Sequence, residues 1–127
     1  MSQSFDPQRG LIVVPVELFG LTGSIVVRCA LDTGATRTMI SVAMLVTVGY
    51  DPSLEPERVQ VTTGSGVEFS PLTAVTRIVA IGQERIGLPV LAHTLPPTAG
   101  IDGLLGLDFL RERLLEIDFR KGMLSLS

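Results

Sequence analysis

Residues 25–41 read IVVRCALDTGATRTMIS. From Ile25 to Leu31 the run is apolar apart from Arg28 and begins with three β-branched residues. It stops at a carboxylate, Asp32, which Thr33 and Gly34 follow at once. A short run of this kind fits a buried strand. An ionised acid at the end of such a strand is costly unless it is paired or its proton takes part in chemistry. The chain must therefore fold around a sheet that delivers Asp32 at a strand end, on a tight turn, to a place where the charge is compensated.

The rest of the chain supplies such a sheet. LIVVPVELFG (11–20) is a second β-branched run, joined to 25–32 by the glycine-bounded turn GLTGS (20–24), and the two predict a β-hairpin. Pro15 places an edge strand or a bulge in the first arm. SVAMLVTVGY (41–50) suits one short helix, with Ser41 at its start and Gly49 at its end. Pro52 and Pro56 mark a loop. Strand-rich segments follow at 59–69, 72–83 and 84–94, with glycine or proline between them, and TTGSGV (62–67) reads as a hairpin tip. LPPTAG (95–100) is a rigid loop. GLDFLRERL (106–114) predicts a helix with Leu107, Leu110 and Leu114 on one face and Asp108 in its first turn. Two short strands close the chain around the Lys121–Gly122 turn. Residues 1–10 read as a loose polar lead-in and 11–127 as a single domain. The pattern predicts an all-β fold, a closed barrel or sandwich with one or two short helices.

Composition removes several functional classes. The net charge is −3 and no basic run stands out, so nucleic acid is not an expected partner. Cys29 is the single cysteine, which excludes an intrachain disulfide and a cysteine-rich zinc site. Its place inside an apolar run makes it a small core residue. No metal or cofactor is expected. No stretch approaches the roughly 18 apolar residues of a membrane span, although the composition is 46% hydrophobic. Excess apolar surface in a small domain commonly becomes a subunit interface. The N-terminus lacks the pattern of a secretory signal, so the cytoplasm is the default compartment, unless the domain is excised from a membrane-tethered parent.

Gly34 can adopt backbone angles closed to other residues and lets its N–H approach the carboxylate closely. Two carboxylates facing each other share a proton, as in the dyad of aspartic proteases. One then serves as general base on a water while the other, protonated, polarises a carbonyl. Of the six aspartates only Asp32 is followed by Thr-Gly. A dyad thus needs a second copy of the chain, with the two Asp32 residues meeting on a two-fold axis.

Three segments carry a resemblance: Leu31-Asp32-Thr33-Gly34-Ala35, then Thr63-Gly64-Ser65-Gly66, then Leu104-Leu105-Gly106. In order and spacing they resemble the retropepsin-like aspartic proteases over residues 11–127, with a pattern after Gly106 more similar to bacterial and other cellular members than to viral ones. The resemblance implies a retropepsin-like barrel with a flap hairpin, acting as a homodimer on a peptide or protein substrate. Asp32 would be the catalytic carboxylate, Thr33 would hydrogen-bond across the dimer, and Gly34 and Ala35 would line the cleft. Thr63, Gly64, Ser65 and Gly66 would form the flap, and Leu104-Leu105-Gly106 would complete a crossed loop beneath the site. Viral members pair an acid after the first signature with an arginine after the second. Here the signs are reversed, which suggests an Arg37–Asp108 pair.

Plainer readings accompany these. Asp102 in GIDGLLG reads as a loop residue, and His93, the single histidine, as structural. No G-x-S-x-G motif supports a serine triad, and no Lys-Ser/Thr follows Gly64-Ser65-Gly66 to make a phosphate loop. The competing function is a catalytically silent peptide- or protein-binding module on the same fold. Phosphoryl transfer on Asp32 is weaker, because the aspartyl-phosphate motif places a lysine between Asp and Thr-Gly.

Overall fold

The computed structural model describes residues 1–63 and 66–127. Along the chain lie β1 (Ser2–Ser4), β2 (Val13–Gly20), β3 (Gly23–Leu31), β4 (Met39–Ile40) and helix α1 (Val42–Thr47). After a 3-10 turn at Pro52–Leu54 come β5 (Arg58–Thr63), β6 (Gly66–Ala74), β7 (Arg77–Ala80), β8 (Gln83–Ile86) and β9 (Pro89–Ala92). A second 3-10 turn at Pro97–Ala99 leads to β10 (Gly103–Leu105), α2 (Leu107–Leu110), β11 (Leu115–Asp118) and β12 (Met123–Leu126). Nine strands form one sheet in the order β5-β6-β9-β4-β10-β3-β2-β7-β8, curled into a half-barrel. The remaining three form the sheet β1-β12-β11. The all-β class with two short helices follows the strand-and-turn pattern of the sequence.

Alternation drives the packing. Val14, Val16 and Leu18 on β2 and Val27 and Cys29 on β3 point inward and are fully buried. They join Ile40, Leu45, Ile78, Leu105, Phe109, Leu124 and Leu126 in the main core. A smaller cluster of Met39, Leu72 and Leu91 lies against Val59, Val61, Leu95 and Leu104. The β2–β3 hairpin keeps full register from Val13↔Ala30 to Gly20↔Gly23. Ser41 caps α1 by accepting from the Met44 N–H, and Gly49 follows with φ +99°.

Pro15 departs from the sequence expectation. β2 is an interior strand between β3 and β7. Leu31 N–H donates to Ile12 O, so the ladder alternates to put Val14 and Val16 in hydrogen-bonded contact with β3. The Pro15 nitrogen faces the other side, where β7 pairing begins only at Val16↔Ala80. The proline removes a donor that has no acceptor there.

Helix α2 is shorter than its apolar spacing predicts. It ends at Leu110, Arg111 turns extended, and Glu112 takes φ +66°. Leu114 and Ser127 exchange both backbone hydrogen bonds, which extends the β11–β12 ladder and draws Leu114 out of the helix. The Arg85 guanidinium donates to Phe109 O and Arg111 O, taking up carbonyls that the truncated helix leaves open.

The N-terminus is not a loose lead-in. Ser2–Ser4 pairs with β12, Phe5 N–H donates to Gly122 O, and the Phe5 ring is buried edge-on against Phe119 at 5.9 Å. Polar composition hid this, because the pairing is with the far end of the chain. Phe5→Leu should lower stability by about 1 kcal/mol through loss of the ring contact, a change read from a urea midpoint; an unchanged midpoint would return residues 1–5 to the solvent.

Cys29 is fully buried, and burial, with the Asp102 carboxylate adding to it, pushes the thiol up to about 12. The unfolded chain therefore loses this proton first as pH rises. Stability should be fully present below about pH 9 and decline towards the folded value, by roughly 1.4 kcal/mol per pH unit at most. Comparing alkaline unfolding of the protein with that of Cys29→Ala checks this, since the variant should lack that component of the slope.

Among the described residues no helix is long and apolar enough to cross a membrane, and no group of three or more His, Cys, Asp or Glu could hold a metal ion.

Candidate active site

Asp32 sits where β3 ends. Its N–H donates to Leu105 O at 3.0 Å, continuing the parallel pairing of β3 with β10 (Leu105↔Leu31). The chain then turns: Ala35 N–H donates to Asp32 O at 3.2 Å, and Gly34 N–H donates to the Asp32 carboxylate Oδ1 at 2.9 Å. A Cβ on Gly34 would lie 3.1 Å from that oxygen, so the residue type that follows Asp-Thr sets how closely the amide approaches the acid. Asp32 is half-buried, while Thr33 and Gly34 are exposed. No described residue hydrogen-bonds the Thr33 side chain.

The loop after Asp32 is held against the loop after β10. Leu107 N–H donates to Ala35 O at 2.8 Å and Asp108 N–H to Thr36 O at 3.2 Å. Between them Gly106 lies so close that a Cβ would stand 2.7 Å from the Arg37 carbonyl carbon and 2.9 Å from Ala35 O. Only glycine admits this crossing, which gives Leu104-Leu105-Gly106 its place beneath the Asp32 turn.

The expected Arg37–Asp108 pair does not form. Asp108 accepts from the Thr38 N–H at 2.9 Å and from the Thr38 hydroxyl at 2.7 Å. It also accepts from Phe109 N–H at 2.8 Å, in the first turn of α2. The Thr38 hydroxyl in turn accepts from Gly106 N–H at 3.1 Å. Thr38 is fully buried, so its polar atoms require partners within the protein. A nearby carboxylate supplies a compact acceptor, and Arg37, next in sequence, points elsewhere. Sequence reasoning passed over Thr38; the signal was a hydroxyl leading directly into the apolar pair Met39-Ile40.

A groove of about 500 Å³ opens beside this loop. Residues 35–37 form one wall, residues 59–62 of β5 the other, and Met39 and Leu91 the floor. Ala35 is thus on the groove. The β5–β6 hairpin pairs from Arg58↔Pro71 to Thr63↔Gly66, and its predicted tip residues Gly64 and Ser65 lie outside the described residues. Asp102 ties loops together: it donates to Arg28 O, accepts from Arg28 N–H on its carboxylate, and its carbonyl accepts from Ser41 N–H. His93 Nδ1 lies 3.2 Å from Ser70 Oγ and 3.7 Å from Glu68 Oε2.

The sequence profile of the family described as "gag-polyprotein putative aspartyl protease" matches residues 21–112, a span that includes the Asp32 turn and the Gly106 crossing. The chain belongs to this retropepsin-like aspartic protease family. Among solved structures, a retropepsin-like aspartic protease from Rickettsia conorii superposes with a TM-score of 0.74 at 18% identity. The alignment covers 99% of this chain and 88% of that one. At that identity the likeness speaks for the retropepsin-like fold. No curated protein matches the chain. For a retropepsin-like chain, the informative local geometry is a lone Asp-Thr-Gly acid at a strand end, with its turn braced from below by Gly106, Thr38 and Asp108.

Proposed function

We propose that this retropepsin-like chain is an aspartic endopeptidase that acts as a homodimer, with Asp32 from each copy forming the catalytic pair. The observation that carries the reading is the Asp32 turn itself. One carboxylate stands at a strand end with Oδ1 held by the Gly34 amide, and a groove of about 500 Å³ opens beside the same loop.

Two such acids brought together share one proton. The ionised member takes a proton from a water, which attacks the peptide carbonyl carbon. The protonated member donates its hydrogen bond to the carbonyl oxygen as negative charge develops. Collapse of the tetrahedral intermediate breaks the C–N bond as a proton passes to the leaving amine. The Gly34 N–H on Oδ1 fixes the orientation of each acid. The substrate is an extended peptide lying between the loop wall and the β5–β6 hairpin, which acts as the flap and excludes water. Thr33 braces the two copies, and Met39, Leu91, Val59 and Val61 favour an apolar side chain near the cut.

Peptide cleavage measured across pH, with and without a statin-type inhibitor, tests the proposal. Activity should peak on the acidic side of neutral, where the pair holds one proton, and the inhibitor should abolish it. A dimer that binds peptides without cutting them at any pH would mark the chain as a binding module instead.

A further inference from the structure

Among the described residues, Arg37 is the one ionic side chain lining the groove. Around it the walls are apolar, at Met39, Leu91, Val59 and Val61, or neutral and polar, at Gln60 and Thr62. The acid that the sequence offers as its partner, Asp108, is taken by Thr38. Among the described residues nothing forms an ion pair or a side-chain hydrogen bond with the Arg37 guanidinium. The other acids close to the site in sequence or fold are turned to other partners: Asp32 to the Gly34 amide and Glu68 towards His93. Arg37 is half-buried. It is a planar, permanently charged fork with open donors, set in a wall otherwise without charge.

We propose that Arg37 makes this groove selective for peptides that carry a carboxylate near the apolar residue it seats. The proposal rests on the groove being the peptide-binding cleft, as argued above. Side chains at positions i and i+2 of an extended peptide lie on one side, about 6.7 Å apart. An apolar side chain over Met39 and Leu91 thus leaves an Asp or Glu two residues along free to reach the guanidinium. The match is charge-assisted and geometrically selective for carboxylate. With a net charge of −3 on the chain, an acidic peptide gains little from the protein as a whole, so its preference depends on this one cation.

The test compares peptides in which Glu or Gln is scanned through the positions flanking a fixed apolar residue. Two readouts are used: kcat/KM with the wild-type protein, and binding to the Asp32→Asn protein by fluorescence anisotropy, which needs no catalysis. At one position Glu should exceed Gln by about tenfold, and the ratio should shrink at high salt. Arg37→Gln should flatten the ratio, Arg37→Lys should keep part of it, and Arg37→Glu should turn the preference towards a Lys-bearing peptide. A Glu preference in binding without any cleavage by the wild type would support Arg37 selection and sink the protease reading. Equal handling of Glu and Gln at every position, a preference that survives in Arg37→Gln, or no binding of any peptide would overturn the inference.

Discussion

Asp32→Asn should reduce peptide cleavage by roughly 10²–10⁴-fold, the scale of a lost general acid–base group, with the fold and any dimer unchanged. The asymmetry between activity and stability is the informative part. The asparagine amide oxygen takes the place of Oδ1 and still accepts from the Gly34 N–H, so the turn keeps the hydrogen bond seen at 2.9 Å. The melting temperature should therefore move by no more than about 2 °C. What the amide lacks is the ability to take a proton from water or to share one with its mate. Equal cleavage by the variant and the wild type would remove Asp32 from the chemistry. A variant that has lost activity because it has lost its fold would appear as a collapsed melting transition.

Thr38→Val should be the costliest isosteric change near the site, at about 2–3 kcal/mol and roughly 10 °C in melting temperature for a domain of this size. The methyl that replaces the hydroxyl fits the volume but breaks two contacts together. Gly106 N–H loses its acceptor at 3.1 Å, and Asp108 loses its shortest donor at 2.7 Å. Thr38→Ser keeps both and should stay within about 1 kcal/mol of the parent. Asp108→Ala strands three donors, the Thr38 N–H, the Thr38 hydroxyl and the Phe109 N–H. The double variant Thr38→Val/Asp108→Ala should cost less than the two singles added together, because they act on one network. Strict additivity in chemical denaturation would show that the network is only a list of neighbours.

Features set by local chemistry were legible in the sequence. The β2–β3 hairpin follows from two β-branched runs around a glycine-bounded turn. Helix α1 follows from Ser41 and Gly49, and the Asp32 turn from the glycine two residues on. Features set by distant pairing were not. Nothing near Leu114 announces that Ser127 will draw it from a helix, and nothing in residues 1–5 announces β12. The Asp108 partner was misread for the same reason. Arg37 has the charge that opposes it, but charge is a long-range and forgiving criterion, whereas a fully buried hydroxyl and amide on Thr38 impose a strict one. The flanking order of the site was readable; which side chain meets which across the two loops was a matter of burial.

The sheet β1-β12-β11 has a consequence for how the molecule is made. Ser2 pairs with Ser125, so the middle strand β12 and the β1 segment that depends on it lie far apart in the sequence of the domain. Phe5 therefore stays uncovered until β12 and the Gly122 turn are in place to receive it. The β2–β3 hairpin closes between near neighbours, whereas this clasp joins segments distant in sequence and carries a larger loop-closure cost.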